Sequence, residues 1–515
     1  MTVREATTPD LERLSGLLSA TGPTTQLRSP LSGQIIVTVP TSTADDVARA
    51  ASTARRAQPA WAAKSIAERS KLLLDFHDHL LDRRDDFVDL LQTESGKARL
   101  SAAEEVLHVA LTARYYGRTA RRYLHSERGE GVLPLLTRID RHYVPKGLVG
   151  VIAPWNYPLT MAISDGLAAL VAGNAVLLKP DHQTPLISLA AVDLLRQTGL
   201  DADLWSVVNG PGDVVGPQLI DVSDYVCFTG STATGRKVAT RCADRLIGCS
   251  LELGGKNPLL VLDDADVERA AEGAVRACFS NAGQLCVSIE RIYVAEPLLA
   301  DFTEAFVART KALRLGGAMD YDHDMGVLIN AGQLDRIRQH VEDARAKGAT
   351  VRAGGRARTD LGELFYEPTV LTGVTPEMDC YAEETFGPLV SVYPVADDEE
   401  AIARANDSEY GLNASVWTSD TERGRRVASQ IDCGTVNVNE GFAATFGSID
   451  APMGGMKHSG LGRRQGAEGI RRFVEVQSVA TQSGLPIAPS HGLTGKTFAG
   501  AMTGVLRLLK KVGRA

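Results

Sequence analysis

The sequence predicts an α/β protein of two domains, each a mainly parallel sheet covered by helices, and three observations carry that reading. The chain has 515 residues, more than one ordinary hydrophobic core organises. From residue 148 onward, short apolar runs alternate with helix-length amphipathic stretches, the rhythm of strand–helix–strand units. The series begins afresh after Gly254-Gly255, between the apolar strand ending near Glu252 and the next one starting at Asn257.

Taken in order, the first third reads as a short strand, Gln34–Val39, followed by helices. Thr41-Ser-Thr-Ala-Asp-Asp46 supplies hydroxyl caps and first-turn acids, a helix start. Amphipathic patterns continue to about Arg121, a Gly-containing break follows Ser126, and Arg138–Val144 alternates like an extended hairpin arm. Strands are then expected at Leu148–Ala153, Ala175–Lys179, Leu204–Val208 and Asp224–Phe228, with helices near 164–172, 185–198, 213–220 and 232–243. The second series has strands at Asn257–Leu262, Arg291–Val294, Leu389–Tyr393 and Thr435–Asn439, and helices near 298–312 and 331–347.

Composition narrows the function. Apolar residues at 44% and charged residues at 23% are those of a water-soluble globular chain. With a net charge of −8 and no strongly basic block in the main body, nucleic acid is not an expected partner, because phosphate binding needs clustered Lys and Arg. The seven cysteines are odd in number and include no Cys-x-x-Cys, which argues for a reducing cytoplasm rather than a disulfide framework or zinc site. Met1–Leu14 carries Glu5, Asp10 and Glu12 and no apolar core, so it is not a secretory signal. The longest apolar stretch, about Gly166–Leu178, is broken by Gly173 and Asn174 and falls short of the ~20 residues a bilayer requires. His77-Asp-His79 does not suggest a metal site, since i and i+2 face apart on a helix, and no metal is expected.

Four segments could carry chemistry. A cysteine taken alone is usually a small buried hydrophobe. Cys286, however, closes Phe279-Ser-Asn-Ala-Gly-Gln-Leu-Cys286 after a helical run, and Gly283 permits a sharp turn that can aim a backbone N–H at a developing oxyanion; Cys278 reads as helix packing. Glu252 ends a strand beside two glycines, where burial can raise a carboxyl into the range of a general base; a surface acid, or an ion pair with Lys256, is the equal alternative. Asn156 sits in Ala153-Pro-Trp-Asn-Tyr-Pro158, held by two prolines, and its amide N–H suits an oxyanion, a turn-forming Asn being the plainer reading. Phe228-Thr-Gly-Ser-Thr-Ala-Thr-Gly235 leads from strand to helix through Gly230 and Ser231, a place for phosphate, although it is not a Gly-x-Gly-x-x-Gly fingerprint. Lys179-Pro180-Asp181-His182 follows a strand end, where open α/β sheets bind ligands.

Together these segments resemble the aldehyde dehydrogenase superfamily, from roughly Thr41 to Ser478. The ordered blocks are Pro154-Trp-Asn-Tyr-Pro, Leu178-Lys-Pro, Phe228-Thr-Gly-Ser, Glu252-Leu-Gly-Gly-Lys, Gly283-Gln-Leu-Cys, Glu383-Glu-Thr-Phe-Gly-Pro388 and Pro452-Met-Gly-Gly-Met-Lys-His-Ser-Gly-Leu-Gly-Arg463. The resemblance implies a Rossmann-type cofactor domain (1–128 and 147–253), an α/β catalytic domain (254–450), a β oligomerisation arm (129–146 and 451–481) and a basic extension (482–515). It implies Cys286 as nucleophile, Asn156 and the Cys286 backbone N–H as oxyanion hole, and Glu252 as the base for the deacylating water. Trp155, Asn156, Lys179, Pro180, Asp181, His182, Gly230, Ser231, Leu253 and Glu384 would hold the dinucleotide. The implied reaction is NAD(P)-dependent oxidation of an aldehyde to a carboxylate through a thiohemiacetal and a thioester, in a homodimer or homotetramer. The presence of Glu252 favours hydrolysis over transfer to a thiol.

Within the superfamily the likeness is to a bacterial succinate-semialdehyde dehydrogenase (NADP) branch, on Phe279-Ser-Asn-Ala-Gly-Gln-Leu-Cys-Val-Ser-Ile-Glu-Arg291 and the long C-terminal extension. Better-known enzymes for that substrate grip its far carboxylate with arginines, where this chain has Ser164 and Ser280; Arg291 or another cation would have to replace them. A broader aliphatic or aromatic aldehyde substrate therefore stays open, as does a non-catalytic binding protein on the same fold. NAD-selective relatives carry glutamate at the position of His182; histidine does not repel a 2′-phosphate, so NADP is the expected cofactor and NAD the alternative. The tail from Ala480 has no acid, and its stretch Phe498–Val512 suits a basic amphipathic helix, expected to dock on the protein itself, with a membrane surface as the alternative.

Overall fold

In the computed structural model, which describes residues 8–133, 136–484, 486–490 and 492–511, the first series of apolar runs becomes a parallel sheet. Its strands are β1 (Leu148–Ile152), β2 (Ala175–Lys179), β3 (Trp205–Val207), β4 (Tyr225–Thr229) and β5 (Gly248–Glu252), in the order β3-β2-β1-β4-β5. β1 and β2 are buried at every position, which is why they read as continuous rather than alternating apolar runs. Right-handed crossovers place helices Pro158–Val171 and Pro185–Gln197 on one face and Gly212–Val222 and Thr232–Asp244 on the other. The chain steps outward from β1 to β3 and then returns past β1 to β4. Its topological switch lies between β1 and β4, so a ligand belongs beyond their carboxyl ends, at Pro154-Trp-Asn156 and Gly230-Ser231.

The second sheet contains β6 (Asn257–Val261), β7 (Ile289–Ala295), β8 (Thr350–Ala353), β9 (Thr369–Thr372), β10 (Leu389–Val395), β11 (Asn413–Trp417) and β12 (Thr435–Val438). Their order is β8-β9-β10-β7-β6-β11-β12, and only β8 runs antiparallel to its neighbour. β11 escapes sequence patterning because two of its buried residues are polar and satisfied inside. Asn413 donates to the Val287 and Gly441 carbonyls, and Ser415 to the Glu440 carbonyl.

Each sheet has its own apolar core, and the cores part at Gly254-Gly255: Leu253 belongs to the first, Leu259 to the second. Several later stretches cross that division, Leu412, Phe442 and Met453 among them, and one of them carries Cys286. Leu285 and Val287 are buried in the first core, while Ala282 and Ile289 are buried in the second, so Cys286 sits where the chain crosses between them.

Thr137–Pro145 pairs antiparallel with Val474–Gln482 along its length and with Glu127–Gly129 on its other side. The C-terminal part assigned to the arm, 451–481, is divided in the structure. Gly460–Leu461 pairs with β5 and extends the first sheet, and helix Gly466–Arg471 packs on helices Arg99–Leu124 and Pro158–Val171. Only Val474–Gln482 lies in the three-stranded sheet. The tail also departs from expectation. Helix Gly495–Lys511 forms, but it buries no residue and joins neither core; Val512 lies outside the described residues.

The C-terminal block is tied to the first domain by Asp165, on helix Pro158–Val171, which accepts from Arg464 at 2.9 Å and Arg472 at 2.6 Å. Asp165→Ala would leave two guanidinium groups enclosed without a counter-charge, at a cost of about 3–5 kcal/mol. A lowered urea midpoint for the first domain is the expected result; an unchanged midpoint contradicts this role.

Candidate functional site

The elements converge on one cleft. After β1 the chain turns through Pro154-Trp-Asn-Tyr157 into a helix whose first residue is Pro158, where the missing N–H is no loss. After β4, Ser231 caps helix Thr232–Asp244 by accepting the Thr234 N–H. β5 ends at Glu252. The resulting cleft, about 220 Å³, is lined by Trp155, Asn156, Gly230, Ser231, Glu252 and Leu253 from the first domain, and by Cys286 and Glu384 from the second.

The loop that presents Cys286 is unusual in its backbone. Asn281, Ala282 and Gly283 occupy the left-handed region in succession, at φ of 51°, 55° and 68°. Such strain costs on the order of 1–3 kcal/mol at each non-glycine position and persists only when neighbours impose it. Gln284 does so: its Nε2 donates to the carbonyls of Asn281 and Val327, and its Oε1 accepts the Ile329 N–H at 3.0 Å. At Gly283 a Cβ would collide with the Gly387 carbonyl. Asn257 Nδ2 fixes the far side by donating to the Cys286 carbonyl at 2.8 Å and that of Ser288 at 2.7 Å.

Asn156 is buried, and its Nδ2 donates to the Gln284 carbonyl at 3.0 Å. A carboxamide nitrogen carries two hydrogens, so one stays free for a second acceptor. The Asn156 carbonyl accepts from Lys97 Nζ at 2.8 Å and Asn281 Nδ2 at 3.2 Å.

Glu252 has no ion pair with Lys256, which pairs with Glu290. Its side chain is enclosed, and among the described residues Oε1 has no hydrogen-bond partner. Burial raises its carboxyl to about 7, with Arg464 and Arg472 pulling the other way. Burial likewise pushes the Cys286 thiol up to about 12, with the carboxylates of Glu252 and Glu384 adding to it. At neutral pH the thiol therefore holds its proton, while the neighbouring carboxyl is half ionised and able to take one. Glu384 accepts the Gly255 N–H at 2.8 Å, and burial followed by the Glu290 charge lifts its own carboxyl to about 7. Among the described residues no group of three or more His, Cys, Asp or Glu could hold a metal ion, and no helix is long and apolar enough to cross a membrane.

This chain matches the aldehyde dehydrogenase family over residues 18–479. It belongs to that family. A protein of Mycolicibacterium smegmatis, provisionally named a succinate-semialdehyde dehydrogenase (NADP(+)), is 52% identical over 480 residues, 93% of either chain. A Mycobacterium tuberculosis protein with the same provisional name, numbered 2, is 48% identical over 96% of this chain and 95% of its own. Among solved structures, the betaine aldehyde dehydrogenase of Staphylococcus aureus in complex with NAD+ superposes with a TM-score of 0.87 at 31% identity, over 93% of this chain and 98% of that one.

In this aldehyde dehydrogenase the cleft does not gather every residue singled out in the sequence. Lys179, Pro180, Asp181 and His182 stand at the β2 edge and are not among its lining residues. Lys179 is buried and donates to the Pro180 carbonyl at 3.0 Å, and burial lowers its pKa. Asp181 caps the Gln183 N–H, and the exposed His182 lies 3.4 Å from Asp181. Arg291 cannot serve a substrate, because it is buried and donates to the carbonyls of Lys256, Arg404 and Ala405. The cleft also holds residues that the sequence did not single out. Phe386, at φ 56°, meets Trp155 edge-on at 5.5 Å; Gln333 and Arg336 reach from helix Ala331–Ala346 to the carbonyls of Phe386 and Glu384. Phe386 lies within a quoted block, whereas nothing in the pattern marked Gln333 or Arg336.

The sign of the pH dependence follows from Glu252. A carboxyl raised to about 7 is protonated, and useless as a base, below that pH. Turnover should climb as pH rises through about 7; a profile flat across this range would contradict Glu252 as the titrating base.

Proposed function

We propose that this protein oxidises an aldehyde to the carboxylate with a nicotinamide dinucleotide, and that succinate semialdehyde is its substrate. The observation that carries the reaction is the enclosure, in one cleft, of a thiol, an amide donor and a carboxyl raised to about 7. Glu252 draws off the Cys286 proton, and the sulfur adds to the aldehyde carbon to give a thiohemiacetal. The free N–H of Asn156 and the Cys286 backbone N–H hold the developing alkoxide; loss of one such donor typically costs on the order of 10²–10³ in rate. The dinucleotide supplies a hydride acceptor. Loss of that hydride turns the thiohemiacetal into a thioester; Glu252, having passed the first proton to solvent, then deprotonates the water that hydrolyses it, and the acid leaves as the Cys286 sulfur regains a proton.

The residues present suit the dinucleotide. Gly230 and Ser231 open the N-terminus of a helix of 13 residues toward the cleft, a setting that favours phosphate. At Gly254 a Cβ would collide with the Glu384 carboxyl, so backbone and acid approach closely there. Trp155, Leu253 and Phe386 supply apolar walls, and Lys179, Pro180, Asp181 and His182 would meet the adenosine end from the β2 edge. NADP is favoured, since His182 offers no carboxylate against a 2′-phosphate and the relatives at 52% and 48% identity are named for NADP. NAD is the alternative.

The same relatives' names favour succinate semialdehyde. With Ser164 and Ser280 uncharged, Arg276 is our candidate for the far carboxylate. It lies one helical turn before Ser280, whose Oγ donates to the Arg276 carbonyl, and its half-exposed guanidinium is held only loosely by Glu104, at 3.3 Å. Phe442 lies beneath it at 6.0 Å. The protein would work in the cytoplasm, where its free cysteines stay reduced, and as a homodimer or homotetramer joined through the sheet of Thr137–Pro145 and Val474–Gln482.

Comparing kcat/KM for succinic semialdehyde and butanal, in the parent and in Arg276→Gln, tests this reading. A preference above about tenfold for the semialdehyde, largely lost in the variant through KM, is expected, because a single cation–carboxylate contact is worth that much. Equal efficiencies in the parent would make it a broad aliphatic or aromatic aldehyde dehydrogenase. No dinucleotide reduction with any aldehyde would leave a binding protein.

A further inference from the structure

The basic tail sorts its residues by direction. At 3.6 residues per turn, Lys496, Arg507, Lys510 and Lys511 of helix Gly495–Lys511 fall within an arc of about 100°, and Phe498, Met502, Val505, Leu506, Leu508 and Leu509 fall within the opposite 160° or so. Leu506 and Leu508 are 56% and 61% exposed, the others of that arc are half-buried, and none joins either core. From Ala480 onward the chain carries five Lys or Arg and no acid; taking that +5 from the whole chain's −8 leaves −13 for the preceding 479 residues. Charge and apolarity are thus segregated twice, along the chain and around the helix.

We propose that helix Gly495–Lys511 docks the protein onto anionic lipid, lying in the plane of the membrane surface. A wide apolar arc opposite a cationic one matches the boundary between acyl chains and phosphate headgroups, where both faces are satisfied at once. Nucleic acid would engage the cationic arc and leave the apolar one in water. The helix has 17 residues and four charges, so it lies on the bilayer and does not span it. Attraction to anionic headgroups is worth roughly fivefold in binding per cation, and salt weakens it.

The test is co-sedimentation of the full-length protein with vesicles of equal phosphatidylglycerol and phosphatidylcholine, against phosphatidylcholine alone. Binding to the first and not the second is expected, falling sharply at about 0.5 M salt, where the Debye length is about 4 Å. The double variants Leu506→Glu/Leu509→Glu and Lys510→Glu/Lys511→Glu should each lose binding at least about tenfold while oxidising aldehyde in solution at the parental rate. Their retained activity shows that the body is folded. Absence of anionic-lipid binding, or binding that survives both variants, overturns the proposal. So does a change of oligomeric state in the variants without any vesicle binding, which would make a second copy of the chain the occupant.

Discussion

Hydrogen bonds through Asn156 span the two domains at the point where chemistry would occur. Asn156 Nδ2, on the loop after β1, donates to the carbonyl of Gln284, on the loop that carries Cys286. Everything around that contact fixes its two ends. Lys97 and Asn281 hold the Asn156 carbonyl, Glu105 ion-pairs with Lys97 and accepts the N–H groups of Leu159 and Thr160 at the start of the following helix, and Gln284 is locked to Asn281, Val327 and Ile329. The strain at Asn281 and Ala282 is bearable because those partners impose it. A nucleophile and an amide donor carried by different sheets are thereby set to a common register, which effective catalysis demands to within a fraction of an ångström.

The electrostatics of the cleft follow from enclosure more than from ion pairs. Glu252 and Glu384 are lifted to about 7 and Cys286 to about 12 mainly because water is excluded from them. The guanidinium groups of Arg464 and Arg472 temper this for Glu252, but they are committed to Asp165. At neutral pH the thiol thus rests uncharged and the Glu252 carboxyl half ionised, and when a proton passes from sulfur to carboxylate the negative charge is relocated rather than created. Gly454 contributes by its lack of a side chain: a Cβ there would lie 3.2 Å from Glu252 Oε1.

Much of the fold was legible because burial on both faces turns parallel strands into unbroken apolar runs; β2 was found to the residue, Ala175–Lys179. β11 was not, since Asn413 and Ser415 are satisfied by carbonyls that only the folded chain brings near. The ordered blocks pointed to Cys286, Glu252 and Asn156, which the cleft gathers. They were silent on Gln333 and Arg336, which reach the cleft from a polar helix whose pattern records only its packing face. The tail helix was visible as a pattern, but its lack of a buried face was not, because amphipathicity reports that a face seeks a partner and never which one.

Central to this account is a covalent acyl intermediate on Cys286 that Glu252 releases. Mixing Glu252→Gln with aldehyde and oxidised dinucleotide, and following reduced cofactor together with the mass of the Cys286 peptide, tests it most directly. One equivalent of reduced cofactor per site, an acyl adduct on Cys286 and no further turnover is the predicted result. Unimpaired steady-state oxidation, or a burst with Cys286 unmodified, would contradict it.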